Sequence, residues 1–140
     1  MQIHQLTSFT EQDLQDLAAL MKELSDRLDL TEKHLRDVVT AHGSHLLVAR
    51  EGGRIIGCAT LCIYEAPSSR KGVIEDVVVA PEFRGRHIGR TLFEQIFGIA
   101  RTMAPIELQL TSKPSRIAAN ALYSSLGFTR VDTNCYRIRL

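Results

Sequence analysis

No stretch of this 140-residue chain is apolar for long enough to cross a bilayer. Its opening residues, MQIHQLTSF, have no basic segment leading into an apolar core, so neither a membrane anchor nor a secretory leader is expected. Charge of one sign is also lacking. Seventeen basic residues face sixteen acidic ones, a formal net charge of +1, which argues against nucleic acid as a general partner. Cysteine is scarce: Cys58, Cys62 and Cys135 are an odd number without C-x-x-C spacing, which argues against both a disulfide framework and a zinc site. All three read as small core residues, and the placement they suit is the cytoplasm. His4, His34, His42, His45 and His87 show no ligand spacing, so no metal is expected. Repeats and low-complexity segments are absent. With 44% hydrophobic and 24% charged residues, the composition is that of one globular domain over 1–140.

What is present is periodicity. Residues 2–7 suit an edge strand. Thr10 and Asp13 resemble a capping box, and Leu14, Leu17, Met21, Leu24 and Leu28 recur at three-four spacing, which predicts a helix over 11–28. Thr31 caps a second helix carrying Leu35, Val38 and Val39 that ends at Gly43. Strands are expected at 45–50 and 55–64 around a Glu51-Gly52-Gly53-Arg54 hairpin turn, then a polar loop at 66–70 and a strand at 72–80. A helix over 86–103, a strand from Pro105 to Thr111, a helix over 115–126 closed by Gly127, and a final hairpin of 128–132 with 136–140 complete the chain. The expected class is α/β, with a mixed, mostly antiparallel sheet. Its strands 72–80 and 105–111 form a parallel pair through a right-handed crossover.

The segment VIEDVVVAPEFRGRHIGR, Val73 to Arg90, is the most informative stretch of the chain. Its β-branched run is interrupted by Glu75 and Asp76, and buried acids are costly unless they are used or paired. Pro81 stops the strand, and an arginine- and glycine-containing turn then enters a helix. Such a helix N-terminus offers backbone N–H groups without intrahelical partners, a dipole that favours anions, and here charge-assisted donors from arginine.

Arg84-Gly85-Arg86-His87-Ile88-Gly89 resembles the diphosphate-binding Q/R-x-x-G-x-G/A motif of the GNAT superfamily of acetyl-CoA-dependent N-acetyltransferases, with His87 at its fourth position in place of glycine. Ala118 to Phe128, AANALYSSLGF, is similar to that family's A-x-x-L-Y-x-x-L-G-F segment. The resemblance, together with the order of elements, covers nearly the whole chain.

It implies a single-domain GNAT-like fold using acetyl-CoA as co-substrate. Pantetheine would pair with the backbone of Val77, Val78 and Val79. The pyrophosphate would lie on backbone N–H groups of Gly85, Arg86, His87, Ile88, Gly89 and Arg90, with charge from Arg84, Arg86 and Arg90. Glu75, about 16 Å up an extended strand from Ala80, is expected to take the amine proton, because acetyl transfer needs a neutral amine. Glu75 is preferred to Asp76 because it shares side-chain parity with Val73 and Val77, a preference that a bulge would reverse. Tyr123 matches the tyrosine that protonates the departing CoA thiolate, a task suited to a phenol. Relatives carry a cofactor-contacting asparagine where this chain has Arg116; Asn120, one helical turn on, is the other candidate.

The acceptor is less defined. Asp26, Asp29, Glu32 and Glu65 would attract a cationic amine; Arg70 and Lys71, read as loop residues, would suit a phosphate or carboxylate. The run IEDVVV is similar to the glucosamine-6-phosphate N-acetyltransferase branch, although the aspartate-cysteine pair of that branch is missing after Leu110. The expected partners are a small-molecule amine, no nucleic acid and no membrane. A homodimer and a monomer both stay open. A peptide or protein amine, or a non-catalytic acyl-CoA-binding module, are the alternatives.

Overall fold

The computed structural model describes Met1 to Leu140, which form two compact units, Met1–Leu110 and Thr111–Leu140. The first contains β1 (Gln2–Gln5), α1 (Glu11–Leu24), α2 (Glu32–Thr40), β2 (Ser44–Glu51), β3 (Arg54–Ala66), β4 (Ser69–Val79), a 3-10 turn (Pro81–Phe83), α3 (Ile88–Arg101) and β5 (Glu107–Gln109). The second contains α4 (Ile117–Ser125). The sheet runs β1-β2-β3-β4-β5, antiparallel throughout except for the parallel β4–β5 pair. This is the mixed α/β architecture that the element order predicts.

The middle strand explains how the sheet is held. From Ile55 to Leu61 every residue of β3 is buried, so both faces are covered. On one face Ile55 and Cys58 join Leu17 and Leu20 of α1 and Leu35 of α2 in the core. On the other, a Cβ at Gly57 would stand 3.4 Å from Cγ2 of Ile88, so the first turn of α3 lies directly on the strand.

Asp13 ties α1 to that framework. The expected capping box is complete: Asp13 N–H donates to Thr10 Oγ1 at 3.2 Å and Thr10 N–H to Asp13 Oδ2 at 3.1 Å. The same carboxylate accepts two bonds from Arg50 of β2, at 2.7 and 3.0 Å. That fork holds its pKa below the usual carboxylate range.

Several expected boundaries shift. Helix α1 ends at Leu24, because Ser25 is extended (φ −163°, ψ 135°) and its hydroxyl accepts from Arg27 N–H, a local bond that competes with the helix. Leu28, in phase with the helical stripe, therefore lies beyond it. Helix α2 stops at Thr40, short of Gly43. The polar loop read at 66–70 is a tight hairpin, with Ala66 paired to Ser69, so Arg70 and Lys71 are strand residues. Helix α3 begins at Ile88 because Gly85 (φ 80°) and His87 (φ 60°) are left-handed. Strand β5 pairs only Glu107–Gln109 with Lys71–Val73, so β4 extends from Ile74 to Val79 past the end of its parallel neighbour.

In the second unit, α4 closes with a Schellman motif. Phe128 N–H donates to Tyr123 O and Gly127 N–H to Ser124 O, both at 3.1 Å, with Gly127 at φ 99°. The rings of Tyr123 and Phe128 meet edge to face, centroids 6.3 Å apart, so the L-Y-x-x-L-G-F pattern has a structural cause. The expected hairpin of 128–132 with 136–140 does not form. Val131, Tyr136, Ile138 and Leu140 are exposed, and two short strands with no buried apolar face are marginal in water. Cys135 is exposed as well, so of the three cysteines Cys58 is the core residue, with Cys62 half-buried.

Candidate active site

Strand β4 carries a bulge where the acids intrude. Cys58 pairs with Val78 and Thr60 with Glu75, so two residues of β3 span three of β4, and Asp76 and Val77 together oppose Ala59. Asp76 adopts φ 53°, a left-handed conformation that aspartate tolerates better than most residues. The bulge breaks the regular alternation: the face shared by Val73 and Glu75 continues into Val78 rather than Val77.

A cavity of about 190 Å³ opens on this bulge. Helix α1 contributes Leu17 and Met21; Leu28, Asp29 and Leu30 come from the α1–α2 connection; and α2 gives His34, Leu35 and Val38. Leu46, Cys58, Thr60 and Asp76 line it from the strands. Glu75 does not line it but is the register partner of Thr60, which does. Contrary to the sequence expectation of buried acids, Glu75 and Asp76 are both exposed residues of β4; partial desolvation still raises the pKa of both, and for Glu75 the neighbouring Asp76 charge raises it further. Cys58 donates to Asp76 O at 3.6 Å; its thiol, pushed up to about 12 by burial and then by the Asp76 charge, is no nucleophile.

At the far end of β4 lies the arginine turn. The first intrahelical bond of α3 runs from Thr91 N–H to His87 O, so the amides of Ile88 and Gly89 have no acceptor within the helix. A Cβ at Gly85 would touch nothing within 4 Å, which leaves the backbone there open to approach. His87 occupies the left-handed N-cap of α3 with no side-chain cap bond. A glycine would adopt that conformation without penalty, which is a physical reason for the motif's glycine at this position.

The arginines are less available than their number suggests. Arg86 makes a fork to Glu51 at 2.8 and 3.0 Å, and its guanidinium lies 5.4 Å from the Phe83 ring centroid. Arg84 donates to Val79 O at 3.1 Å and reaches Glu23 at 3.5 Å. Glu51 and Glu23 come from distant parts of the sequence, and no local pattern announces them. Arg70 is ion-paired with Glu65 and donates to Met103 O at 2.7 Å; neither Arg70 nor Lys71 lines the cavity.

In the second unit, Asn120 Nδ2 donates to Lys113 O at 2.9 Å and to Arg116 O at 2.8 Å, so its amide braces the start of α4. Arg116 is the N-cap residue of that helix.

The acetyltransferase (GNAT) family model matches residues 7–128. The chain is 30% identical over 136 residues to an IAA acetyltransferase from Azospirillum brasilense, covering 88% of this chain and 84% of that protein. It is 27% identical over 132 residues to a glucosamine 6-phosphate N-acetyltransferase from Trypanosoma brucei brucei, covering 89% of this chain and 88% of that one. Among solved structures, an acetyltransferase from Trypanosoma brucei superposes with a TM-score of 0.78 at 27% identity, covering 99% of each chain.

Proposed function

The chain belongs to the acetyltransferase (GNAT) family and is an N-acetyltransferase that uses acetyl-CoA; on that footing we propose that it acetylates the primary amine of a small molecule bound in the cavity beside the β4 bulge. The observation that carries this reading is the bulge, which brings an acid with a raised pKa to the cavity wall on the strand that leads to the arginine turn.

In this reading the pyrophosphate of acetyl-CoA lies on the backbone N–H groups of Gly85, Arg86, His87, Ile88, Gly89 and Arg90. The pantetheine arm pairs with backbone groups of Val77, Val78 and Val79, where β4 extends past β5. From Ala80 back to Asp76 an extended strand covers about 13 Å, the scale of an extended arm between phosphate and thioester. The amine nitrogen attacks the thioester carbonyl carbon. A C–N bond forms, the C–S bond breaks, and acetamide and CoA thiolate result.

The amine must shed a proton, and the Glu75–Asp76 pair is the base. Asp76 stands at the cavity wall, and Glu75 beside it passes the proton to solvent. Raised pKa values make these carboxylates stronger bases than ordinary ones. Tyr123, on its sequence motif, is the donor that returns a proton to the thiolate, and Asn120 a further contact to the cofactor. A protein amine is the less favoured acceptor, because the cavity is small. A molecule so built is expected to act in the cytoplasm as a monomer or homodimer. Mixing protein, acetyl-CoA and a panel of amines should release CoA and form acetamide one to one. Acetyl-CoA binding without amine-dependent release would instead establish a non-catalytic module.

A further inference from the structure

The cavity says more about the acceptor than the surface charges do. Its wall is apolar on nearly every side, with Leu17, Met21, Leu35 and Val38 from the helices and Leu46 from β2. Its polar side chains are the carboxylates of Asp29 and Asp76, the His34 ring and the Thr60 hydroxyl, and no lysine or arginine lines it. Arg70, the obvious anion-binding candidate in the sequence, is ion-paired with Glu65, donates to Met103 O and lies outside the lining. A carboxylate or phosphate on the acceptor would enter a mostly apolar chamber whose two carboxylates repel it, and would find single donors in His34 and Thr60 but no guanidinium fork. An ammonium group, by contrast, meets Asp29 and Asp76. Size sets a second limit. An apolar cavity of about 150 Å³ holds benzene, so about 190 Å³ takes one ring or branched chain with a short stem.

Resting on the transfer reading above, we infer that the acceptor is a primary alkylamine carrying one compact apolar group, a phenyl ring or a branched alkyl chain, and no anionic group. The apolar group fills the space between α1, α2 and β2, and the amine points to the acids on β4. This departs from the anionic acceptor that Arg70 and Lys71 suggest in the sequence.

Three matched amines test it: 2-phenylethylamine, ethylamine and phenylalanine. The first differs from the second by the ring alone and from the third by the absence of a carboxylate. Initial rates of CoA release should give a kcat/KM for 2-phenylethylamine at least tenfold above each of the others, the range that filling a hydrophobic pocket provides. Val38→Phe, which fills the cavity, should bring the ratio over ethylamine close to one while the thermal shift with acetyl-CoA is retained. Equal rates for ethylamine, a preference for phenylalanine or glucosamine 6-phosphate, or an undiminished ratio in folded Val38→Phe would overturn the inference and leave acetyl transfer standing. If Val38→Phe does not fold, the wild-type ranking decides alone. Absence of CoA release with every amine, despite acetyl-CoA binding, would overturn the transfer reading and this inference with it.

Discussion

Replacing Asp13 by asparagine removes a charge from the centre of a network and leaves the volume almost unchanged. In the wild type that side chain is 6% exposed and receives two bonds from Arg50 and one from the Thr10 amide. Arg50, itself only 22% exposed, would keep His4 Nε2 and Gly53 O as partners and lose its counter-ion. Breaking a buried pair from one side costs about 3–5 kcal/mol. At about 2.1 cal/mol/K per residue, 140 residues give an unfolding entropy of about 0.3 kcal/mol/K, so the melting temperature should fall by about 10–17 °C. The pH dependence distinguishes charge from shape. The folded pKa of Asp13 is depressed, so its contribution is complete above the unfolded value of about 3.9 and is lost as pH falls through the folded value. Urea denaturation from pH 7 down to pH 3 should show wild type and Asp13→Asn converging at the acid end. A cost below 1 kcal/mol at pH 7, or a difference that does not shrink with acid, would refute the reasoning. The pair also holds α1, and with it Leu17 and Met21 of the cavity wall, against β2.

Three other outcomes are expected. Gly89→Glu places a carboxylate at the first turn of α3 and should abolish the stabilisation by acetyl-CoA, about 2.7 kcal/mol at a hundredfold excess over Kd; a full thermal shift in the folded variant would move the phosphate site elsewhere. Relief of the left-handed backbone should make His87→Gly neutral to slightly stabilising, by less than about 1 kcal/mol, whereas the β-branched His87→Val should lose about 1–2 kcal/mol; equal losses for both in chemical denaturation would contradict this. Tyr123→Phe should lower kcat and leave acetyl-CoA affinity unchanged, read by steady-state kinetics beside calorimetry; an unaltered kcat would remove Tyr123 from the proton path.

Much of this arrangement is legible in the chain. Short-range physics governs the legible part: the Thr10–Asp13 box, the Gly52-Gly53 turn and the Gly127 cap each depend on residues a few positions apart. The acids of β4 are conspicuous for the same reason, because they break a β-branched run. What the sequence hides is register and long-range pairing. Parity assigns Glu75 to the face of Val77, and only the bulge opposite Ala59 shows that this face continues into Val78. The charge of Arg86 is visible, but its commitment to Glu51 depends on two turns meeting in space. The C-terminal alternation of Tyr136, Ile138 and Leu140 reads as a strand, yet a strand needs a partner and a buried face, and neither is encoded locally.

The acids on β4 provide the most direct test of the whole account. Their raised pKa values mean that ionising them costs folding stability. That cost is absent below the unfolded carboxylate pKa and complete once pH has risen through the folded value. Asp76→Asn, in a left-handed position that asparagine also accepts, should therefore be more stable than wild type at pH 7 and equal to it at pH 3. The decisive measurement is the pH–rate profile for acetylation of 2-phenylethylamine by wild type, Asp76→Asn and the Glu75→Gln/Asp76→Asn double variant, with acetyl-CoA affinity measured alongside. The account predicts that kcat/KM falls about a hundredfold or more in the double variant, most steeply at low pH, where fewer amines are already neutral, while acetyl-CoA binds as before. A wild-type rate and profile in that double variant would contradict it.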